Sequence, residues 1–476
     1  MTTRRISSVC HVGSTAIGGD NPIRIQSMTT TDTNDTEACV AQAKRIIDAG
    51  GELVRLTTQG VKEAENMKHI SARLKQDGYQ QPLVADVHFN ANVADVAARN
   101  CEKVRINPGN YVDPARTFKK LEYTDEEYQQ ELRKIDERLV PFINICREHK
   151  TAVRIGVNHG SLSDRIMSRY GDTPAGIVES CMEFLRIFRR ERFDDVVISI
   201  KASNTVVMVQ SVRLLVQAMD REDMHYPLHL GVTEAGEGED GRIKSAVGIG
   251  ALLTEGIGDT IRVSLSEEPE CEIPVARKLV ELIPECTRLR QEADAGIKDD
   301  TITLQLDAPD WETLQLKAAM AVGALLIDRK ATKLVIQPAS GSQLFSPSLS
   351  DNLSKHPSLW EGLGGLADAI LQAARIKFTK TEYISCPGCG RTLYNLQDTI
   401  RRIKAATSHL VGLKIGIMGC IVNGPGEMAD ADYGYVGAGR GKISLYRQKE
   451  CVAKNIPEEE AVDRLLQLIE ADWPAQ

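Results

Sequence analysis

Three cysteines near the carboxyl end of the chain have the spacing of a metal site. Cys386 and Cys389 are separated by a Pro-Gly dipeptide, and Cys420 follows a strand-like run. A tight turn of this kind lets two thiolates reach one metal, and a third thiolate completes three corners of a tetrahedral site. Three thiolates suit either Zn²⁺ or an iron–sulfur cluster.

The fourth corner of this site has two candidates. Cys451 would complete a zinc site of four cysteines. Glu427 closes the Asn-Gly-Pro-Gly-Glu run at 423–427, a rigid loop near Cys420. A carboxylate is a harder, weaker partner for soft iron and would leave one iron available to a substrate. The residues alone predict a metal or cluster site and leave its fourth ligand open.

Basic side chains at similar places in successive strand-like runs form the second signal. Near the carboxyl ends of these runs lie Arg55, Arg105, Arg154, Lys201 and Arg262. If the strands form a parallel barrel, their carboxyl ends meet at the face where catalytic groups collect. Five converging cations would repel one another unless an anion is bound, and guanidinium groups suit phosphate oxygens. The predicted substrate is therefore polyanionic, with a diphosphate as the best candidate.

Polar groups accompany the cations at the same face. Glu234 ends the seventh run, and a carboxylate amid cations is expected to be ionised and to serve in proton transfer. The alternative for Glu234 is a structural salt bridge to one of the cations. His88 fits a supporting role as well as a catalytic one. The further polar candidates at this face are Asp86, Asn107, Asn158 and Ser264.

The elements that must position these residues alternate along the chain from residue 23 to 266. The strand-like runs are 23–29, 53–58, 83–89, 104–107, 152–158, 196–203, 228–234 and 260–266. Segments with helical periodicity separate them, for example 39–49 and 177–188. Strand followed by helix, repeated eight times, is the pattern of a (β/α)₈ TIM barrel. We therefore predict an α/β fold with a barrel over residues 1–270.

The rest of the chain divides into two further parts. Residues 271–375 contain strand-like and helix-like runs without a catalytic signature, and we predict an α/β insert of scaffold or interface role. Residues 376–476 place the three cysteines among a strand, a helix, a second strand, a hairpin-like piece and a closing helix. We predict a small sandwich-like α/β domain that carries the metal site.

The composition excludes several classes of function. The chain has 476 residues, of which 42% are hydrophobic and 26% charged, as in ordinary globular proteins. A formal net charge of -8 argues against nucleic-acid binding. The near-apolar run at 318–327 is too short to span a membrane, since a spanning helix needs about 20 residues. With no export signal, we expect a cytoplasmic protein with reduced cysteines.

Longer stretches of the sequence carry a resemblance to a known family. They are QSMT at 26–29, LVADVHFN at 83–90, VRINPGN at 104–110, VRIGVNHGSL at 153–162, SIKAS at 199–203, HLGVTEAG at 229–236, GIGDTIRVSLS at 256–266, CPGC at 386–389 and GCIVNGPGE at 419–427. Together they resemble the 4-hydroxy-3-methylbut-2-enyl diphosphate synthase (IspG/GcpE) family of the methylerythritol phosphate route to isoprenoids. The motifs occur in both end domains.

The resemblance implies an oxidoreductase with a [4Fe–4S] cluster held by Cys386, Cys389, Cys420 and Glu427. It also implies reductive ring opening of 2-C-methyl-D-erythritol 2,4-cyclodiphosphate, with electrons from reduced ferredoxin or flavodoxin and loss of a hydroxyl as water. Glu234 would be the acid/base, supported by Asp86 and His88. The residues that would hold the diphosphate are Arg55, Arg105, Arg154, Lys201, Arg262 and Ser264.

The middle of the chain departs from both forms of the family. The compact form has a short linker there, whereas the plant-like form has a whole additional domain, longer than residues 271–375. We therefore expect a plant-like enzyme with a shortened insert. The barrel and the cluster domain would close over the substrate, either within one chain or across a homodimer.

Two other classes of protein remain as alternatives. One is a zinc-stabilised, diphosphate-binding barrel protein without redox activity, with Cys451 as a ligand. The other is a cluster-bearing sensor that binds diphosphates without turnover, in which Glu234 and Asp86 would be dispensable. The convergence of acids with cations at the barrel face argues against both.

Overall fold

The structure is a computed structural model that describes residues 4–114, 117, 119–339, 359–421 and 424–473. A short hairpin of β1 (Cys10–Val12) and β2 (Thr15–Ile17) precedes a barrel of parallel strands. The barrel strands are β3 (Arg24–Met28), β4 (Leu53–Thr58), β5 (Leu83–Val87), β6 (Lys103–Ile106), β7 (Ala152–Asn158), β8 (Val196–Lys201), β9 (His229–Leu230) and β10 (Thr260–Ile261). Their order is β8-β7-β6-β5-β4-β3-β10-β9, and a bridge between Ile198 and Leu228 closes the ring. The predicted α/β fold with a TIM barrel is confirmed.

Helices surround the barrel, as the repeated strand–helix pattern predicts. They are α1 (Thr36–Asp48), α2 (Val61–Gln76), α3 (Ala91–Ala98), α4 (Pro108–Tyr111), α5 (Asp125–His149), α6 (Asp164–Tyr170), α7 (Pro174–Arg190), α8 (Thr205–Arg221) and α9 (Gly238–Thr254), with a 3₁₀ turn at His159–Ser161. The long helix α5 begins at a capping box, in which Thr124 and Glu127 exchange side-chain to backbone hydrogen bonds.

The last two barrel strands are much shorter than the runs at 228–234 and 260–266. The chain beyond each strand leaves the barrel ladder for other partners. Ala235 forms a parallel bridge with Ser385 of the C-terminal domain, and the backbone N–H of Ser266 donates to the Gly236 carbonyl at 2.9 Å. The carboxyl ends of these two runs therefore join the barrel to the C-terminal domain.

The chain after the barrel continues into a layer that packs on one side of it. This layer contains a 3₁₀ turn (Pro269–Cys271), α10 (Glu272–Glu281), α11 (Ile283–Ala295), β11 (Thr301–Leu306), α12 (Trp311–Ile327), β12 (Lys333–Pro338) and α13 (Leu359–Ala373). Strands β11 and β12 form a parallel pair. Helix α12 packs against the barrel helix α9, and both belong to one hydrophobic core. This layer extends the barrel core rather than forming a separate one.

The C-terminal domain has its own sheet and core. Its elements are β13 (Glu382–Ser385), α14 (Leu396–Thr407), β14 (Lys414–Met418), α15 (Gly424–Glu427), β15 (Tyr433–Gly439), β16 (Lys442–Arg447), β17 (Glu450–Pro457) and α16 (Glu458–Asp472). Strands β13, β14 and β15 pair in parallel, whereas β16 pairs antiparallel with both β15 and β17. Helices α14 and α16 bury Ile400, Ile403 and Leu465 against this sheet. No helix within the described ranges is long and apolar enough to cross a membrane.

Side chains of the barrel strands alternate between the helices and the barrel interior. Val104, Val153 and Ile198 point outward into the core with the helices. Residues at the other phase form the interior layer nearest the amino ends of the strands, together with the β1–β2 hairpin. This layer consists of Leu53, Val84, Ala152, Val197, Cys10, Val12 and Ile17. The hairpin therefore seals the amino end of the barrel.

Lys103 is an unusual member of the barrel interior. It begins β6, two residues before Arg105, so its side chain shares the inward phase of that strand. The residue is fully buried, and Nζ has no hydrogen-bond partner among the described residues. Burial lowers the pKa of this amine to about 7.

Replacing Lys103 with methionine should stabilise the fold and change its pH dependence. The free amine holds its proton up to pH 10.5, but the folded one only up to about pH 7. Unfolding therefore takes up a proton between these pH values, and the free energy of unfolding rises with pH across that window. We expect K103M to raise Tm at pH 7 in thermal unfolding. In urea titrations at pH 7 and 9, the free energy of unfolding should rise less with pH in K103M than in wild type. K75M, at an exposed lysine, is the control. An equal increase of the free energy of unfolding with pH in K103M and wild type would contradict the prediction.

Candidate active site

The polar face of the barrel extends deep into its interior. Register places Asp86 beside Arg105 and Arg105 beside Arg154 on neighbouring strands. Arg154 is the third residue of the seven-residue strand β7, so it lies well before the strand end. Together with the C-terminal domain, these residues line one cavity between the two domains.

The cavity brings together nearly all of the residues predicted from the sequence. From the barrel it is lined by Arg55, Asp86, His88, Arg105, Arg154, Asn158, Lys201, Glu234, Arg262 and Ser264. From the C-terminal domain it is lined by Cys386, Cys389, Cys420 and Glu427. Two motifs far apart in sequence therefore face one space.

Asn107 is the exception among the predicted substrate-binding residues. Its Nδ2 donates to Ser161 Oγ at 2.8 Å, and its Oδ1 accepts from the Gly109 backbone N–H at 3.2 Å, which caps helix α4. Asn107 does not line the cavity. An asparagine before Pro-Gly at a strand end serves a helix cap as well as it serves a ligand.

Two of the five predicted cations donate hydrogen bonds to a carboxylate, and a third, Arg55, lies 4.0 Å from Asp86 Oδ2. Arg105 donates to Asp86 Oδ1 at 3.0 Å. Arg262 forms a two-pronged pair with Glu272, at 3.0 and 2.9 Å. Burial alone would raise the pKa of Asp86, but Arg55 and Arg105 outweigh it and hold this pKa well below its usual range. Asp86 is therefore ionised and balances part of the positive charge.

The other cations are poorly compensated. Arg55 contacts the sulfur of Met28 at 2.9 Å, and Arg154 Nη1 donates to Ser199 Oγ at 3.2 Å while its Nε has no partner among the described residues. Burial, with help from neighbouring cations, lowers the pKa of Arg55 to about 10 and those of Arg154 and Lys201 well below their usual values. A bound anion would relieve this repulsion.

His88 is a neutral imidazole in this setting. Its Nε2 contacts Arg105 Nη1 and lies 3.6 Å from Asp86 Oδ2. Burial and the adjacent Arg105 lower its pKa to about 3. His88 therefore does not add a positive charge at neutral pH.

Glu427 reaches from the C-terminal domain into the barrel. Its Oε2 accepts from Thr233 Oγ1 at 3.2 Å, its carbonyl accepts from Ser203 Oγ at 3.3 Å, and its carboxyl lies against that of Glu234. Burial raises the pKa of both carboxyls, and the nearby Glu234 raises that of Glu427 further. Both shifts favour the protonated carboxyl, whereas the sequence predicts an ionised Glu234.

The two domains meet through close backbone contacts within one chain. A Cβ on Gly160 would lie 2.4 Å from the Glu427 backbone nitrogen, and a Cβ on Gly426 would lie 1.7 Å from the Gly160 carbonyl oxygen. Ser266 Oγ also donates to the Cys386 carbonyl at 3.0 Å. Closure therefore occurs within one chain, a question that the sequence left open. The expected homodimer is not needed to complete the cavity and stays a prediction.

The thiols have surroundings that suit a bound metal centre. Cys386 Sγ accepts a hydrogen bond from the Gly419 N–H at 3.1 Å, while burial raises the pKa of this thiol to about 12. Glu427 Oε1 is buried without a partner among the described residues. Among the described residues, no three His, Cys, Asp or Glu side chains are close enough together to hold a single metal ion. The three thiols and Glu427 line the same cavity.

Cys451, the other candidate for the fourth ligand, lies elsewhere. It belongs to the outer strand β17, where its Sγ donates to the Ala453 carbonyl at 3.6 Å. It does not line the cavity. Among the donors of the described residues, Glu427 is therefore the better placed fourth ligand.

Some cavity residues were missed from the sequence. They are Met28, Thr233 and Arg391. Arg391 comes two residues after Cys389, so its proximity to the cysteine motif was the available signal. Met28 and Thr233 are uncharged, but both lie in motifs that carry the resemblance, QSMT at 26–29 and HLGVTEAG at 229–236.

The fold and the site define a two-domain enzyme class, in which a TIM barrel supplies a cationic pocket and a smaller domain supplies thiols. Family models agree with this division. The GcpE TIM-barrel domain matches residues 7–277, and the GcpE protein C-terminal domain matches residues 382–471. The chain therefore belongs to the GcpE family, and the resemblance predicted from its motifs is confirmed.

Named relatives align with nearly the whole of this chain. The chain is 53% identical to the 4-hydroxy-3-methylbut-2-en-1-yl diphosphate synthase (flavodoxin) of Bacteroides fragilis, over 99% of this chain and 96% of the relative. It is 45% identical to that of Porphyromonas gingivalis (99% and 98%) and 40% identical to that of Protochlamydia amoebophila (99% and 96%). The first alignment runs over 601 positions, more than the 476 residues of this chain, so the relative has segments that this chain lacks.

Adding one methyl group at the interdomain contact should open the protein. Alanine at Gly160 would place its Cβ against the backbone of residues 426–427, which a side-chain rotation cannot relieve. We expect G160A to increase the radius of gyration measured by small-angle X-ray scattering. G364A is the matched control, because a Cβ on Gly364 meets nothing within 4 Å. Identical scattering curves for G160A and wild type would show that this contact does not hold the domains together.

Proposed function

We propose that this enzyme catalyses the reductive ring opening of 2-C-methyl-D-erythritol 2,4-cyclodiphosphate to 4-hydroxy-3-methylbut-2-enyl diphosphate. The observation that carries the proposal is one cavity lined by redox-capable thiols on one side and poorly compensated cations on the other. The names of the relatives give the same product. A barrel pocket alone would bind a diphosphate but could not reduce it.

A [4Fe–4S] cluster held by Cys386, Cys389, Cys420 and Glu427 fits the donor set of this cavity. Three soft thiolates and one hard carboxylate oxygen match a cluster with one distinct iron. When bound, such a cluster supplies electrons one at a time.

Charge balance explains why the barrel interior is cationic. The reaction takes up two electrons and one proton, breaks a ring C–O bond and a C–OH bond, forms a C=C bond and releases water. The opened diphosphate therefore gains one negative charge relative to the cyclic one. Arg55, Arg154 and Lys201 are poorly compensated and would stabilise that charge as it develops.

The proton has a source in the same cavity. Burial raises the pKa of Glu234, and its Oε2 has no partner among the described residues. We assign Glu234 as the group that gives this proton to the departing hydroxyl. Asp86 and the neutral His88 support the site by holding Arg105 in place.

Closure of the C-terminal domain excludes water from this chemistry. Glu234 is 8% exposed and Glu427 is 4% exposed, although they come from different domains. Excluding water strengthens the electrostatic contacts and protects reactive intermediates.

We further propose flavodoxin as the electron donor, because the names of the relatives specify it. Ferredoxin, the other donor implied by the sequence resemblance, has no such support.

We also propose a cytoplasmic location. No disulfide joins any two of the cysteines, all of which lie among the described residues, as expected in a reducing compartment.

Iron analysis tests the proposed cofactor. Protein purified without oxygen should be brown and contain about four irons and four sulfides per chain. C386S and C420S should each lower the iron content and the visible absorbance, since each removes a proposed ligand. C451S is the matched control and should keep both. A colourless wild-type protein with one zinc per chain, lost in C451S, would favour the zinc-stabilised alternative instead.

Turnover of the cyclic diphosphate with chemically reduced flavodoxin tests the proposed reaction. E234Q should lower kcat by about 10²–10⁴, the usual contribution of a general acid. Its iron content should match that of wild type, because Glu234 is not a proposed ligand. E460Q, at an exposed glutamate of α16, is the control. Wild-type kcat in E234Q would exclude Glu234 as the proton donor.

A further inference from the structure

Arg391 is a cation of the cavity that comes from the C-terminal domain rather than the barrel. It follows the Cys-Pro-Gly-Cys turn at 386–389 by two residues. Its side chain is only 9% exposed. The five cations predicted from the sequence all belong to the barrel, so Arg391 adds a positive charge from the opposite wall.

Arg391 hydrogen-bonds to the Cys389 side chain, but two of its three guanidinium nitrogens are unused. Neither Nε nor Nη1 has a hydrogen-bond partner among the residues that the structure describes. Its nearest carboxylate contact joins Nη2 to Asp86 Oδ2 at 3.8 Å, which is longer than a hydrogen bond. A buried guanidinium with unsatisfied donors is costly to the fold, so a ligand that accepts from it would offset this cost.

The partners of Asp86 show that Arg391 is not held mainly as its ion pair. Asp86 already accepts from Arg105 at 3.0 Å and lies 4.0 Å from Arg55. The Nε of Arg154, on the barrel side of the same cavity, is also without a partner among the described residues. Two arginines on opposite walls therefore present unused donors to one space.

We propose that Arg391 binds a phosphate oxygen of the substrate and thereby links anion binding to closure of the C-terminal domain. The identity of the substrate rests on the proposed function, but the chemistry requires only a diphosphate. The barrel cations would contact the anion from the barrel side of the cavity. Arg391 would contact it only when the C-terminal domain covers the barrel, so the diphosphate would bridge the two domains.

Calorimetry with inorganic pyrophosphate tests this role without turnover. On anaerobically purified full-length protein, R391Q should weaken pyrophosphate binding roughly tenfold or more, because it removes charge-assisted hydrogen bonds. R391K keeps the charge but loses the planar guanidinium, so its affinity should fall between those of R391Q and wild type. R401Q, at an arginine of the same domain with a 72% exposed side chain, is the control and should bind within about twofold of wild type.

Scattering from the same variants without ligand separates binding from a structural role. Ligand-free R391Q should have the wild-type radius of gyration. If R391Q binds pyrophosphate within twofold of wild type, or is already open without ligand, the proposal is wrong. Turnover of the cyclic diphosphate by wild type is measured in parallel. A wild type that binds pyrophosphate but shows no turnover would refute the proposed function while leaving the role of Arg391 intact.

Discussion

Repulsion among buried cations is the constraint on which this structure depends. Arg55, Arg105 and Arg154 lie on three barrel strands with their side chains in one interior, where most TIM barrels pack apolar layers. Carboxylates compensate this charge only in part, through Asp86 and Glu272. Such an interior is costly without an anion, and it is maintained by the large apolar core between the strands and the surrounding helices.

Space inside the barrel is allocated to these long side chains. Gly156 occupies an inward position of β7, and a Cβ there would lie 2.3 Å from Arg105 Nε. A larger residue would displace the guanidinium that holds Asp86. The neighbouring His88 stays neutral because burial and Arg105 disfavour its protonation, so it contacts Arg105 without adding to the repulsion. Small and neutral residues therefore determine how many cations this interior accommodates.

The barrel, its site cations and the three cysteines could be predicted from the sequence because each depends on local pattern. Strand alternation sets the inward phase of Arg105 and Arg154, and the Cys-Pro-Gly-Cys turn is a local motif. The contact between Gly160 and Gly426 could not be predicted in this way, because it arises only where two domains meet. Arg391 was overlooked, although it follows the cysteine motif by two residues. The raised pKa of Glu234 was also missed, since it depends on how deeply this residue is buried. Asn107 stays a predicted substrate-binding residue, although in this structure it caps helix α4 and does not line the cavity.

Closure within one chain follows from how the C-terminal domain is attached. Helix α13 packs against α9 and β12, and the connection at 374–381 leads directly into β13. Glu382 at the start of β13 then pairs with Arg375 at 3.2 Å and with Lys244 of α9 at 3.5 Å. These contacts fix the first strand of the C-terminal domain beside the barrel, so its cysteines face the cations. The longer relatives have segments absent from this chain, yet both walls of the cavity are present here. The contacts of Glu382 with Lys244 and Arg375 therefore help to position the thiols over the barrel.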